Sequence, residues 1–379
     1  MRAVCEPFVV QEPPERAAVE AFAYYLPQFY PVELNSRWWG EGFTEWTSVL
    51  RAHRGWRSPA GTVLTPGELG FYDLRDPAIR ARQGQMAQEA GLAALCIYHY
   101  YSAGERLMPA VEDAILADGS PDFPFFLGWA NHDWTLAWKG RADEVIARQE
   151  YDEHRSDTHI ERILAAMDDR RYYRVDGRPL VFVYNPLQVP EHRAVFDRWR
   201  EVASRSGHDL LLLGNAPVFA VGAPADEGLD AWVQGTSYVF GSLDPRRRAL
   251  RSLRSPGEAV RFARHRDIRW SYDEIVDAFS TTHPGFGHPT VPLVVSSWNN
   301  VGRRSRSAST TEPSPAAFEQ ALRRAAALAP ALGQGSAARR LVAINAWNEW
   351  GEGMTMEPSV ELGRGMLEAA GRALSSPAT

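Results

Sequence analysis

Leu341-Val342-Ala343-Ile344-Asn345-Ala346-Trp347-Asn348-Glu349-Trp350-Gly351-Glu352-Gly353 begins as an apolar run and ends in side chains that no core would select. The run is short, contains β-branched residues and follows Arg339-Arg340, as expected of a strand covered on both faces. Two Asn, two Trp and two Glu then crowd into nine residues, with Gly351 and Gly353 free to turn the backbone, which describes a strand-end loop rather than a helix face. In parallel α/β folds the carboxyl ends of strands are where catalytic groups collect. A solvated turn could also carry Glu349 and Glu352, but it would rarely gather Trp347 and Trp350 around them. Carboxylates for proton transfer, amides for hydroxyls and indole faces for C–H surfaces are the groups sugar chemistry uses.

Working outward, 379 residues with 45% hydrophobic content can bury one large α/β core or two ordinary ones, and one domain over 21–375 is the expectation. The net charge of −6 argues against a general nucleic-acid binder and gives no positive excess for a membrane surface. Cys5 and Cys96 imply neither a disulfide framework nor a cysteine metal site. Residues 1–20 read as an N-terminal extension without the charged start and apolar stretch of a secretory signal, so a soluble cytoplasmic protein is expected. No run approaches the roughly 20 apolar residues of a membrane span.

Apolar runs alternate with helical periodicity along the chain. Strands are predicted at Ala21 to Leu26, Ala93 to Tyr98, Pro124 to Trp129, Leu180 to Tyr184, Leu210 to Gly214, Ala231 to Gly235, Pro292 to Ser297 and Leu341 to Asn345. Helices are predicted at Arg80 to Ala90, Asp157 to Met167, Glu191 to Ser206 and Pro315 to Ala329, with Asp76-Pro77 and Ser314-Pro315 as starts. Strand-helix units in this number point to a (β/α)₈ TIM barrel with extended strand-to-helix loops. Two insertions exceed a minimal barrel. Residues 34–76 are rich in Trp, Gly and Pro and read as a folded site wall, and residues 242–287 carry Arg246-Arg247-Arg248, Arg251, Arg254, Arg261, Arg264, Arg266 and Arg269. That basic patch is either a solvated helical face or a seat for an anionic sugar or diphosphate-linked lipid.

A barrel would bring the strand ends into one crater. Its candidates are Tyr24, Tyr25 and Gln28 after the first strand, His99 and Tyr100 after the second, and Asn131, His132, Asp133 and Trp134 after the third. Asn185, Asn215, Trp298, Asn299 and Asn300 follow later strands, and Asn348 and Trp350 flank the acids. A lone His99 is more often a hydrogen-bonded core residue. Trp38, Trp39 and Trp46 are either core packing or a stacking platform, and Glu45 is either a third carboxylate or a partner for a backbone amide. No His-x-x-x-His, Gly-x-Gly-x-x-Gly, Walker-type loop or serine elbow occurs, so no metal or cofactor is expected.

Together, Tyr25-Leu26-Pro27-Gln28-Phe29, Trp38-Trp39-Gly40-x-Gly42-Phe43-Thr44-Glu45-Trp46, Tyr72-Asp73-Leu74-Arg75-Asp76-Pro77, Trp129-Ala130-Asn131 with Trp134, and Asn345 to Trp350 resemble the WbsX-type, glycoside hydrolase family 99-like proteins. The resemblance runs over nearly the whole chain. It implies a (β/α)₈ barrel and a retaining cleavage of α-linked manno- or rhamno-configured glycans without a covalent enzyme ester. By that resemblance Glu349 takes the proton of the substrate's own 2-hydroxyl, whose oxygen closes a 1,2-anhydro sugar, and Glu352 protonates the leaving oxygen and then activates water. Members are often encoded beside polysaccharide or O-antigen assembly enzymes and have been labelled glycosyltransferases. One departure stands out: the group usually shows Trp-Asp-Asn where this chain has Trp298-Asn299-Asn300. The expectation is therefore a metal-independent hydrolase with an oligo- or polysaccharide as its partner. The alternatives are a glycosyltransferase of surface-polysaccharide synthesis, which would need an activated donor, and a catalytically idle glycan-binding module.

Overall fold

The computed structural model describes residues 18–55, 62–136, 141–151, 153–216, 227–235, 268–281, 288–303 and 309–375. Cys5 and the Arg-rich stretch 246–266 lie outside the described residues. β1 (Ala18–Tyr25), β2 (Ala94–His99), β3 (Phe125–Trp129), β4 (Arg178–Val183), β5 (Leu211–Asn215) and β6 (Ala231–Val233) pair in chain order, all in parallel. β7 comes in two pieces, Thr290–Val291 paired with β6 and Leu293–Val295 paired with β8 (Arg339–Asn345). Pro292 divides them because it has no N–H for the ladder, yet its carbonyl still accepts from the Ala343 N–H at 2.9 Å. β8 pairs back onto β1 from Ala18↔Arg339 to Ala23↔Ile344. Nine parallel segments thus make a barrel of eight strands, the expected fold.

Apolar strands with no polar face need cover on both sides, and here one side is the barrel interior. Phe22 meets Phe126 edge-on at 5.1 Å, and Tyr24 meets Phe182 at 5.2 Å and Tyr98 at 5.6 Å across it. The outer layer includes α1 (Glu33–Trp39), α2 (Glu45–Gly55), α3 (Pro77–Glu89), α4 (Ala110–Asp118), α5 (Glu153–Met167), α6 (His192–Arg205), α7 (Tyr272–Thr281) and α8 (Pro315–Leu328). The two sequence-read starts hold: the Asp76 carboxylate accepts the Ala78 N–H before α3, and the Ser314 hydroxyl accepts that of Ala317 before α8, each with Pro at the first turn. Among the described residues no helix is long and apolar enough to cross a membrane.

β1 and β8 begin earlier than the apolar pattern indicates. Glu20 of β1 forms an ion pair with Arg339 of β8 at 2.6 Å and accepts the Tyr173 hydroxyl, so polar residues at the lower rim join the ladder. The last residues of the expected N-terminal extension therefore belong to the barrel. The described parts of the segment 34–76, residues 34–55 and 62–76, carry α1 and α2 and are stitched to the loop after β8: the Gly67 N–H donates to the Pro358 carbonyl at 2.9 Å, and Glu361 holds Thr65 by N–H and hydroxyl.

Gly128 on β3 leaves no room for a side chain inside the barrel. A Cβ there would lie 2.8 Å from Cys96 Sγ and 3.1 Å from a Phe182 ring carbon. Gly128→Ala should therefore destabilise by about 1–3 kcal/mol through overpacking, read as a lower urea midpoint at unchanged slope. Adding Cys96→Ala, which opens that space, should recover part of the loss in a double-mutant cycle. Strict additivity of the two changes would contradict the packing described.

Candidate active site

Seven of the eight barrel strands send residues from their carboxyl ends into a cavity of about 340 Å³. Tyr24, Tyr98 and Tyr184 reach it from inside the barrel. Burial raises the pKa of all three phenols, Tyr184 to about 12, so their hydroxyls remain protonated donors at neutral pH. Gln28 donates through its amide to the Tyr100 hydroxyl, and both line the cavity together with His132, Asn215, Trp298, Asn300 and Asn345. Burial lowers the pKa of His132, favouring its neutral form. Leu26, Leu293 and Met354 add apolar wall from the neighbouring strands β1, β7 and β8.

The acids arrive on a small hairpin. After β8, Asn348–Glu349 pairs antiparallel with Met354–Thr355 around a single 3-10 turn, Trp350–Glu352. The Trp347 N–H donates to the Tyr24 carbonyl at 2.8 Å, which docks the hairpin on β1. Gly353 closes the turn at φ 64°, and a Cβ there would strike Asn299 at 2.8 Å. Glu349 and Glu352 both face the cavity, and both contact the same nitrogen of Arg303, Nη1, at 2.7 and 2.9 Å. Arg303 Nη2 reaches Glu45 at 3.0 Å on the far side. Gly351 makes this approach feasible, since a Cβ on it would lie 2.5 Å from the Glu45 carboxylate and 2.8 Å from Arg303 Nε. Burial raises the pKa of Glu349 above the ordinary carboxylate range; Arg303 opposes the rise, and the like charges of Glu352 and Glu45 add to it.

Of the residues singled out in the sequence, Tyr24, Gln28, Tyr100, His132, Asn215, Trp298, Asn300, Asn345, Glu349 and Glu352 converge on the cavity. The others are held elsewhere. Asn348 brackets the backbone of Leu26, accepting its N–H at 2.7 Å and donating to its carbonyl at 3.1 Å. Tyr25 donates to Gln83, Trp46 donates to the Tyr72 carbonyl, and Glu45 is buried behind Arg303. Asn131 is tied to the Asn185 backbone, Asp133 accepts the Gln149 N–H, Trp134 stands edge-on to Tyr100, and Trp39 packs on Phe43. His99 points away from the cavity into the helix layer. There its Nδ1 lies 2.7 Å from Glu112 and its ring stacks on His159 at 5.1 Å. The hydrogen-bonded core reading of His99 is thus the observed one.

The departure at Asn299 also acquires a place. Its side-chain amide donates to the Thr62 carbonyl and accepts the Val301 N–H, while its own N–H donates to the Glu352 carbonyl at 2.7 Å. An aspartate could not make the first of these bonds. Sequence reasoning missed Tyr98, Tyr184, Met354 and Arg303. Tyr184 directly follows β4 and obeys the strand-end rule that found the others, whereas nothing local distinguishes Arg303 from Arg304 beside it.

Glu357 supports the hairpin from behind. Its buried carboxylate accepts from Trp350 Nε1 and Gln83 Nε2, each at 2.6 Å, and from the Tyr72 hydroxyl at 2.9 Å. Burial nevertheless raises its pKa to about 7. Because the folded-state value lies above the roughly 4.3 of an exposed glutamate, its contribution to stability is complete below that pH and is lost as pH rises through 7. Between pH 5 and 8 the wild-type protein should lose about 2–3 kcal/mol more than Glu357→Gln does in denaturant titrations. Equal slopes of stability against pH would refute the assignment.

Residues 21–370 match the family described as Glycosyltransferase WbsX. The chain is 34% identical over 366 residues to a Xanthomonas campestris pv. campestris protein named "Uncharacterized protein WxcX", covering 96% of this chain and 50% of that protein. It therefore spans about half the length of the curated relatives it matches. Among solved structures, a glycoside hydrolase-like protein aligns at 17% identity and TM-score 0.59, over 99% of this chain and 98% of that one. The GH99 endo-alpha-mannosidase from Bacteroides thetaiotaomicron aligns at 15% identity and TM-score 0.52, over 93% and 95%. At such identities the likeness is one of fold, whereas the match along the sequence places the chain in a family: it belongs to the WbsX family.

Proposed function

We propose that the protein is a retaining glycoside hydrolase acting on α-linked, manno- or rhamno-configured glycans of bacterial polysaccharides, with Glu349 and Glu352 as its acid/base pair. The observation that carries this reading is the meeting of both carboxylates at Arg303 Nη1 within the cavity. The two bound oxygens can be no further apart than those two contact distances added together. That closeness lets both carboxyls reach one sugar ring, as glycoside cleavage by a pair of carboxylates requires.

In the proposed first step Glu349 takes the proton of the 2-hydroxyl as O2 bonds to the anomeric carbon. The bond to the leaving oxygen breaks, and Glu352 supplies that oxygen's proton. In the second step Glu352 takes a proton from water, the water oxygen bonds to the anomeric carbon, the C1–O2 bond opens and Glu349 returns its proton to O2. The raised proton affinity of Glu349 suits a base acting near neutral pH. Neutral tyrosine hydroxyls and amides would hold sugar hydroxyls, and the Trp298 indole would cover a C–H face. The GH99 relative of known structure, an endo-alpha-mannosidase by its description, supports this choice of sugar by fold alone.

The family's description favours a second reading, transfer from an activated sugar donor. Digestion of a glycan library read by mass spectrometry, beside an assay of nucleotide release from nucleotide sugars, separates the two. Cleavage without nucleotide release is expected, and donor-dependent release without cleavage would overturn the hydrolase reading. Glu349→Gln and Glu352→Gln should each lower kcat by roughly 10²–10⁴ or more with unfolding curves close to wild type. Near-normal turnover in either variant would remove that residue from the proposed pair.

A further inference from the structure

We infer that Arg303 is a positioning residue that clasps Glu349 and Glu352 together, and that Glu45, outside the cavity, governs the working pair through it. This deepens the proposed function and rests on Glu349 and Glu352 being that pair. The geometry is one guanidinium spanning three carboxylates. Nη1 serves Glu349 and Glu352 at 2.7 and 2.9 Å, and Nη2 serves Glu45 at 3.0 Å. The Arg303 side chain is 7% exposed and that of Glu45 1%, so both charges depend chiefly on each other and on the neighbouring acids. Glu45 does not line the cavity, whereas Arg303, Glu349 and Glu352 do. The arrangement is enforced on both sides. Gly351 leaves no Cβ between Glu45 and the guanidinium, and Gly302, next to Arg303, packs where a Cβ would lie 2.6 Å from the Ser48 carbonyl of α2, the helix that also carries Glu45.

The groups facing Glu349 come from every side of the cavity. Among the described residues they are Tyr24 from β1, Tyr98 from β2 and Tyr100 just after it, His132 after β3, Tyr184 after β4, Glu352 from its own hairpin, and Arg303 with Glu45 behind it. The tyrosines are held neutral by burial, and desolvation lowers the His132 pKa, favouring its neutral form. Among these groups Arg303 is therefore the cation, divided among three anions. Any charge that Glu45 draws from the guanidinium is charge withheld from Glu349, so a residue that never meets substrate adjusts how readily the base ionises.

The test needs no substrate. The full chain carrying ¹³C-labelled glutamate is titrated by infrared difference spectroscopy, and the Glu349 carboxyl band is identified by subtracting the Glu349→Gln spectrum. Glu45→Gln should move the Glu349 midpoint down, because the guanidinium then turns wholly to the pair. Arg303→Gln should move it up by about one pH unit or more. Arg303→Lys, which keeps the charge on one nitrogen and is the safer variant for folding, should move it up by less. A midpoint unmoved in Glu45→Gln, or a downward move in Arg303→Lys, overturns the clasp. The same shifts without glycan cleavage by the wild-type protein would sink the hydrolase reading alone. Cleavage abolished by Glu349→Gln beside unmoved midpoints would sink the clasp alone.

Discussion

Everything at the open end of the barrel is arranged around a buried guanidinium and the carboxylates it serves. A lone arginine in that place would be prohibitively desolvated, and so would any one of the acids. Together they compensate one another, which obliges three separate parts of the chain to meet. Glu45 comes with α2 from the wall after β1, Arg303 from the segment after β7, and Glu349 and Glu352 from the hairpin after β8. Burial raises the Glu349 pKa above the ordinary carboxylate range, and the like charges of Glu352 and Glu45 add to that rise against the opposition of Arg303. The pairing that burial makes necessary is thus incomplete.

The hairpin holding the acids cannot support itself, since its ladder pairs only two residues with two. Its polar backbone groups must be satisfied by surrounding structure. Asn348 supplies a two-sided bond to Leu26, and Trp350 anchors on Glu357, which also gathers Tyr72 and Gln83. Amides and indoles that look from the sequence like sugar contacts are thus occupied in scaffolding. The wall segment has the same character. Trp46 lies between Phe29 at 4.4 Å and Tyr72 at 4.8 Å and touches Trp350 at 6.0 Å, which carries the rigidity of the barrel to the acid loop. Residues of this kind sit one step behind the chemistry and hold the residues that face it.

The family description names a transferase while the solved structures of similar fold are described as hydrolases. Both reactions pass through charge development at an anomeric carbon, and a barrel with paired carboxylates can in principle serve either. The bond that breaks first is what separates them: one to another sugar or one to a nucleotide phosphate. Among the described residues the charged groups facing this cavity are two carboxylates and one already engaged arginine, a set that can transfer protons at a glycosidic oxygen.

Much of this was legible in the sequence. Eight apolar runs, the helix starts at Asp76-Pro77 and Ser314-Pro315, and the acid pair placed just beyond the last strand all follow from local rules of periodicity, capping and turn chemistry. What sequence could not settle was which side of each strand faces the cavity. Along Tyr98-His99-Tyr100 side chains alternate, and both faces of a barrel strand are buried, so hydrophobicity carries no mark of inside or outside. Closure of the barrel decided it, turning the two tyrosines toward the site and His99 toward Glu112. Arg303 is the stronger case: its partners lie 258 residues before it and 46 and 49 after it. Its role arises because burial makes an unpaired charge untenable, a constraint that exists only once the chain has folded.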